Sequence, residues 1–113
     1  MQTKRVVITG IGAVSAFGRT WDDIRARFAA GENAVRYIAA WESYPELETK
    51  LGAPIADYAP PAHWTRKQLR SMGPLAQYCT DAAEQALEQA GLLNDPLIRD
   101  GRMGVAAGSS SGS

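Results

Sequence analysis

Two apolar runs that each end in a glycine turn bracket the chain, and a long alanine-rich helical pattern lies between them. The first is Val6-Val7-Ile8-Thr9 leading into Gly10-Ile11-Gly12, and the second is Met103-Gly104-Val105-Ala106-Ala107 leading into Gly108-Ser109-Ser110-Ser111-Gly112-Ser113. Apolar, β-branched residues at successive positions, instead of alternate ones, predict strands covered on both faces, and so a strand over 5–9 at the centre of a sheet and a second buried strand over 103–107. Strand, helix and strand in that order mark the α/β class. A buried strand followed by a Gly/Ser loop normally delivers the chain into a further element. Residues 1–113 are therefore expected to be the opening, incomplete part of one domain that continues past the C-terminus, unless the terminal Ser/Gly run is a linker.

Three helices are legible from their ends. Thr20 offers a capping hydroxyl with Asp23 three residues later, and Asp22 and Asp23 lie in the first turn, where the helix dipole favours them. The predicted helix over 21–30 carries Trp21, Ile24 and Phe28 on one stripe and Arg25 and Arg27 outside, and Gly31 stops it. A short basic helix is expected over 65–72. Gly73-Pro74 then restarts the chain with proline at the first helical position. The long helix over 74–90, closed by Gly91, places Leu75, Tyr78, Cys79, Ala82, Ala83, Ala86, Leu87 and Ala90 inside and Gln77, Asp81, Glu84, Gln85, Glu88 and Gln89 outside. So many alanines on one face allow a neighbouring backbone to approach closely. Between these helices, 32–61 shows no sustained period. The aromatics Tyr37, Trp41, Tyr44 and Tyr58, with Trp64 just beyond it, point to an ordered excursion that packs.

Composition narrows the function classes. The 12 basic and 12 acidic residues cancel, so no global field draws the chain to nucleic acid or an anionic membrane. No run approaches the ~18 apolar residues of a membrane span, and no signal-like segment precedes the first strand. The single cysteine excludes an internal disulfide framework and suits a reducing, cytoplasmic compartment.

Candidate chemistry is sparse. Gly10-Ile11-Gly12-Ala13-Val14-Ser15 invites a dinucleotide reading, but Ser15 stands where the third glycine is needed and the next helix starts late, which favours a structural turn. Cys79 has no adjacent histidine to generate a thiolate and reads as a buried packing residue. His63 is the only histidine and reads as a solvated or hydrogen-bonded loop residue. With no second histidine or clustered cysteines, no zinc site arises. Arg66, Lys67 and Arg70 form a positive patch that is either a solvated helix face or a docking site for an acidic partner.

Taken in order, Arg5-Val6-Val7-Ile8-Thr9-Gly10-Ile11-Gly12, Thr65-Arg66-Lys67-Gln68-Leu69-Arg70-Ser71-Met72, Ala90-Gly91-Leu92 and Met103-Gly104-Val105-Ala106-Ala107-Gly108-Ser109 resemble the N-terminal region of β-ketoacyl-[acyl-carrier-protein] synthases, condensing enzymes of the thiolase-like superfamily. Each motif alone is only a strand, a turn or a cap; the ordered set is specific. The resemblance implies the thiolase-like layered α/β/α/β/α fold, with this chain the first part of the N-terminal half. It also implies a dimer of identical or related subunits, and an acyltransferase reaction without a cofactor. In that reaction a cysteine takes an acyl group from its carrier and condenses it with decarboxylating malonyl carrier protein.

The family's nucleophilic cysteine, two histidines and supporting lysine fall after Ser113, and neither Cys79 nor His63 matches them, so no catalytic residue is expected in this chain. Lys67 and Arg70 match basic positions that meet the acidic acyl carrier protein, while Ser71 stands where a further basic residue is common. Ser111 falls at an acyl-pocket position where elongating members often carry a bulky apolar gate, which implies a different chain preference, of polyunsaturated or polyketide type. A non-catalytic, chain-length-setting partner subunit of the same fold is the alternative that the resemblance leaves open.

Overall fold

A computed structural model of the chain describes residues 2–110. The elements follow in the order α1 (Trp21–Ala29), β1 (Arg36–Tyr37), β2 (Leu51–Gly52), α2 (Arg66–Arg70) and α3 (Pro74–Gln89), with short 3₁₀ turns at Ala39–Ser43 and Pro96–Ile98. The chain divides into two compact units, Met1–Ala13 with Pro60–Ser113, and Val14–Ala59.

In the second of these units, α1 begins as its sequence dictates. The Thr20 hydroxyl accepts from the Asp23 amide at 3.2 Å and donates to the Asp23 carboxylate at 2.6 Å. Gly31, at φ +69°, ends the helix in the left-handed region. Of the predicted stripe only Ile24 is buried. Trp21 stays exposed, and so does Phe28, although its ring meets Phe17 edge-on with centroids 5.4 Å apart. The excursion over 32–61 is ordered by a feature too short for periodicity to reveal. Arg36 pairs with Gly52 and Tyr37 with Leu51 in an antiparallel ladder. Gly52 lies under the Trp41 indole, where an added Cβ would come within 2.9 Å of Cη2. Tyr37 and Tyr44, expected to pack, are exposed.

The other unit is organised on α3, which starts at Gly73-Pro74 as expected and closes at Gly91, φ +72°. The segment 10–13 runs antiparallel to this helix. A Cβ added at Gly10 would fall on the Ala86 carbonyl oxygen, and one at Gly12 on that of Ala82. The match is geometric, since two residues of extended chain advance about 6.6 Å and four residues of helix about 6 Å. The Ile11 amide donates to Gln89 Oε1 at 2.7 Å, and Gln85 Nε2 donates to the Ala13 carbonyl at 3.3 Å. The neighbouring backbone that the alanine face of α3 admits is therefore the glycine turn of its own unit.

Three expectations are corrected here. Asp81, assigned to the outer face, is fully buried and accepts from Gln85 Nε2 at 3.1 Å. Cys79, assigned to the core, is exposed. Both follow from one cause: the glycine turn and the 60–64 segment cover the flank of α3 that bears Asp81 and Glu84, leaving the flank that bears Cys79 and Ala83 open. Residues 5–9 and 103–107 form no strands among the described residues, and Val6 and Val105 are 92% and 94% exposed. A strand exists only against a partner, and the described residues bring none to either run.

Candidate functional site

The basic patch is built from the turn that precedes α2. Trp64 is buried at 7% exposure, and its indole Nε1 donates to both carboxylate oxygens of Glu84 on α3, at 3.0 and 3.1 Å. His63 Nε2 reaches the same carboxylate at 3.1 and 3.2 Å. His63 is thus the hydrogen-bonded loop residue that the sequence implied. Glu84, read as a solvated outer position, instead ties the start of α2 to the middle of α3.

Directly after Trp64 the chain enters a capping box. The Thr65 hydroxyl accepts from the Gln68 amide at 3.2 Å, and the Gln68 side chain accepts from the Thr65 amide at 2.8 Å. These bonds supply a five-residue helix with the end contacts that its length cannot provide. At its far end Ser71 Oγ donates to the Gln68 carbonyl at 2.9 Å, so Ser71 caps the helix. Gln77 Nε2 then donates to the Met72 carbonyl at 3.1 Å, joining the end of α2 to the first turns of α3.

On α2, Arg66, Lys67 and Arg70 all face solvent. At about 100° per residue they occupy an arc of roughly 100°, one side of the helix, and Leu69 points to the other flank. No ion pair with another described residue engages them. The arrangement is a compact, unneutralised positive face on a helix held at both ends, suited to attracting an acidic surface. Lys67 and Arg70 are therefore brought together as the sequence predicted, with Arg66 beside them. Ser111 lies outside the described residues.

Of the remaining candidates, Gly10, Gly12 and His63 take structural roles. The faces of Gly10 and Gly12 that a phosphate would need are filled by α3, which accounts for these glycines without a nucleotide. His63 is occupied by Glu84, and Cys79 stands on the open flank of α3. Among the described residues no group of His, Cys, Asp and Glu could hold a metal ion, and no helix is long and apolar enough to cross a membrane. Sequence reasoning missed the Trp64–Glu84 contact. Its local signal was an aromatic immediately before a capping threonine, the position from which a side chain fixes the entry of a helix.

Comparison with known proteins gives the family. The family model described as "Beta-ketoacyl synthase, N-terminal domain" matches residues 3–113. The chain is 34% identical over 113 residues to 3-oxoacyl-[acyl-carrier-protein] synthase 2 of Coxiella burnetii, covering 99% of this chain and 27% of that protein. It is 32% identical over 111 residues to the chloroplastic 3-oxoacyl-[acyl-carrier-protein] synthase I of Arabidopsis thaliana, covering 96% of this chain and 23% of that protein. A crystal structure of a β-ketoacyl synthase from Burkholderia phymatum superimposes with a TM-score of 0.88 at 53% identity, covering 98% of this chain and 27% of that one. The chain thus spans about a quarter of the length of the relatives it matches. An α/β chain with the thiolase-like fold, it belongs to the β-ketoacyl synthase family, whose N-terminal domain it matches.

Proposed function

We propose that residues 1–113 form the opening part of the N-terminal domain of a 3-oxoacyl-[acyl-carrier-protein] synthase. The reaction is a decarboxylative Claisen condensation in fatty-acid or polyketide-type chain elongation. A cysteine thiolate attacks the acyl thioester and releases the carrier's thiol. Malonyl carrier protein then loses carbon dioxide, and the resulting carbanion attacks the enzyme-bound thioester and displaces the cysteine. The observation that carries this reading is the 53% identity to a β-ketoacyl synthase across 98% of the chain, at a TM-score of 0.88.

Within the reaction this chain contributes recognition and scaffold. Lys67 and Arg70 meet the acidic acyl carrier protein, steering its approach through a field that salt screens. The catalytic cysteine and histidines are supplied by parts of the protein outside this chain. The assembled enzyme is a dimer.

The test is a condensation assay on the intact protein with acyl carrier protein thioesters and labelled malonyl carrier protein. Release of one carbon dioxide for each 3-oxoacyl product is expected. No product alone, with product on addition of a second synthase-fold subunit, would move the assignment to the non-catalytic partner.

A further inference from the structure

Glu84 sits in the middle of α3, yet its carboxylate is bound by two side chains from the segment that leads into α2. Trp64, buried, gives it an indole N–H at 3.0 Å, and His63 approaches at 3.1 Å. The next residue, Thr65, is the N-cap of α2, and the three cations follow within the next turn and a half. A five-residue helix has too few internal hydrogen bonds to hold its own direction, so its orientation is set by what grips its ends. At the C-terminal end the grip is the short Met72–Gly73 connection to α3, with Gln77 on the Met72 carbonyl. At the N-terminal end it is the Trp64–Glu84 contact, made between residues 20 apart in sequence.

We infer that Glu84 is a positioning residue for carrier recognition: by holding Trp64 and His63 on α3 it fixes the direction in which α2 presents Arg66, Lys67 and Arg70. The inference rests on the proposed carrier-docking role of that face. The geometry adds a requirement that charge alone does not contain. Three cations on a tumbling helix would produce the same long-range attraction but a dispersed close contact, whereas a clamped helix offers a fixed constellation to the partner's carboxylates. The contact works through an acceptor oxygen aimed at a buried donor. A glutamine at this position, which keeps one such oxygen, preserves the grip, whereas an apolar side chain leaves the buried indole N–H without its partner.

The experiment uses the intact protein and fluorescently labelled acyl carrier protein, with affinity read by anisotropy at low ionic strength and thermal stability read in parallel. Glu84→Leu and Trp64→Phe are each expected to weaken carrier binding about threefold or more. The double variant should bind no more weakly than Glu84→Leu alone, because Trp64→Phe breaks a contact that Glu84→Leu has already removed. Glu84→Gln is expected to stay close to the parent protein. Trp64→Phe keeps a buried ring and carries the test if Glu84→Leu fails to accumulate. Lys67→Glu with Arg70→Glu is measured alongside. If the charge reversal weakens binding and the Glu84 and Trp64 variants lower only thermal stability, the positioning role is overturned and the docking face stands. If the charge reversal changes nothing, the docking reading fails and the positioning role falls with it.

Discussion

Gly10 and Gly12 are not among the glycines of positive φ, so backbone conformation does not explain them. What explains them is distance. An alanine Cβ at Gly12 would lie 2.7 Å from the carbonyl carbon of Ala82 and 2.9 Å from the Cβ of Gln85, besides meeting the Ala82 oxygen. Carbon atoms prefer about 3.5–4.0 Å, so one wall of the contact must retreat by roughly 1 Å. Helix backbone has no alternative rotamer, and the retreat falls on α3 or on the 10–13 segment as a whole. Forced overpacking of this kind costs about 1–3 kcal/mol. Withdrawal of Gln85 from the Ala13 carbonyl adds about 0.5–1.5 kcal/mol. Against this, alanine restricts the unfolded chain and returns about 0.4–1 kcal/mol. The balance for Gly12→Ala is a loss of about 2 kcal/mol. Urea unfolding of the intact protein should show a lower midpoint at unchanged slope. A midpoint equal to or above that of the parent would mean that only the unfolded-state term operates, and the close approach of the turn to α3 would be refuted.

Three further outcomes are expected. Lys67→Glu with Arg70→Glu should raise the apparent KM for carrier-borne substrate at low salt, and the difference should shrink as ionic strength passes about 0.15 M, where the screening length is ~8 Å; unchanged kinetics at low salt would make the patch a solvated face. The Arg102 guanidinium, whose Nε donates to Asp100 Oδ2 at 2.8 Å, holds the Asp100 carboxyl below the usual carboxylate range. The pair's contribution to stability is therefore present above the ordinary carboxylate pKa and is lost as pH falls through the depressed value, and an NMR titration should show the Asp100 midpoint move up in Arg102→Ala. Produced alone, the 113-residue chain should self-associate through Val6, Val7, Ile8 and Val105, all exposed, and Val6→Lys with Ile8→Lys should reduce the association in sedimentation; a monomer that unfolds cooperatively would contradict this.

The helices were legible in the sequence because their signals are local. Thr20, Gly31, Gly73-Pro74 and Gly91 act within a turn of where they stand, and each marks the boundary found. The clustering of Arg66, Lys67 and Arg70 was legible for the same reason, since helical spacing alone puts them on one face. What required a distant partner was not legible. Periodicity showed that α3 has a broad apolar arc but not which flank would be covered, so Asp81 and Cys79 were exchanged between inside and outside. The β1–β2 ladder spans too few residues to alternate visibly, and its register depends on Gly52 fitting under Trp41. The runs over 5–9 and 103–107 have strand composition without strand structure, because composition specifies what a segment can pair with and cannot supply the partner. The Trp64–Glu84 contact joins two segments whose separate readings, an aromatic in a loop and an acid on a helix, carried no hint of each other.

The most direct measurement is to trap the acyl-enzyme. The intact protein is incubated with acyl carrier protein thioester in the absence of malonyl carrier protein, and its mass and modified peptide are determined. The account predicts one acyl group per subunit, on a cysteine outside residues 1–113, with Cys79 unmodified. No adduct, or an adduct on Cys79, would contradict it.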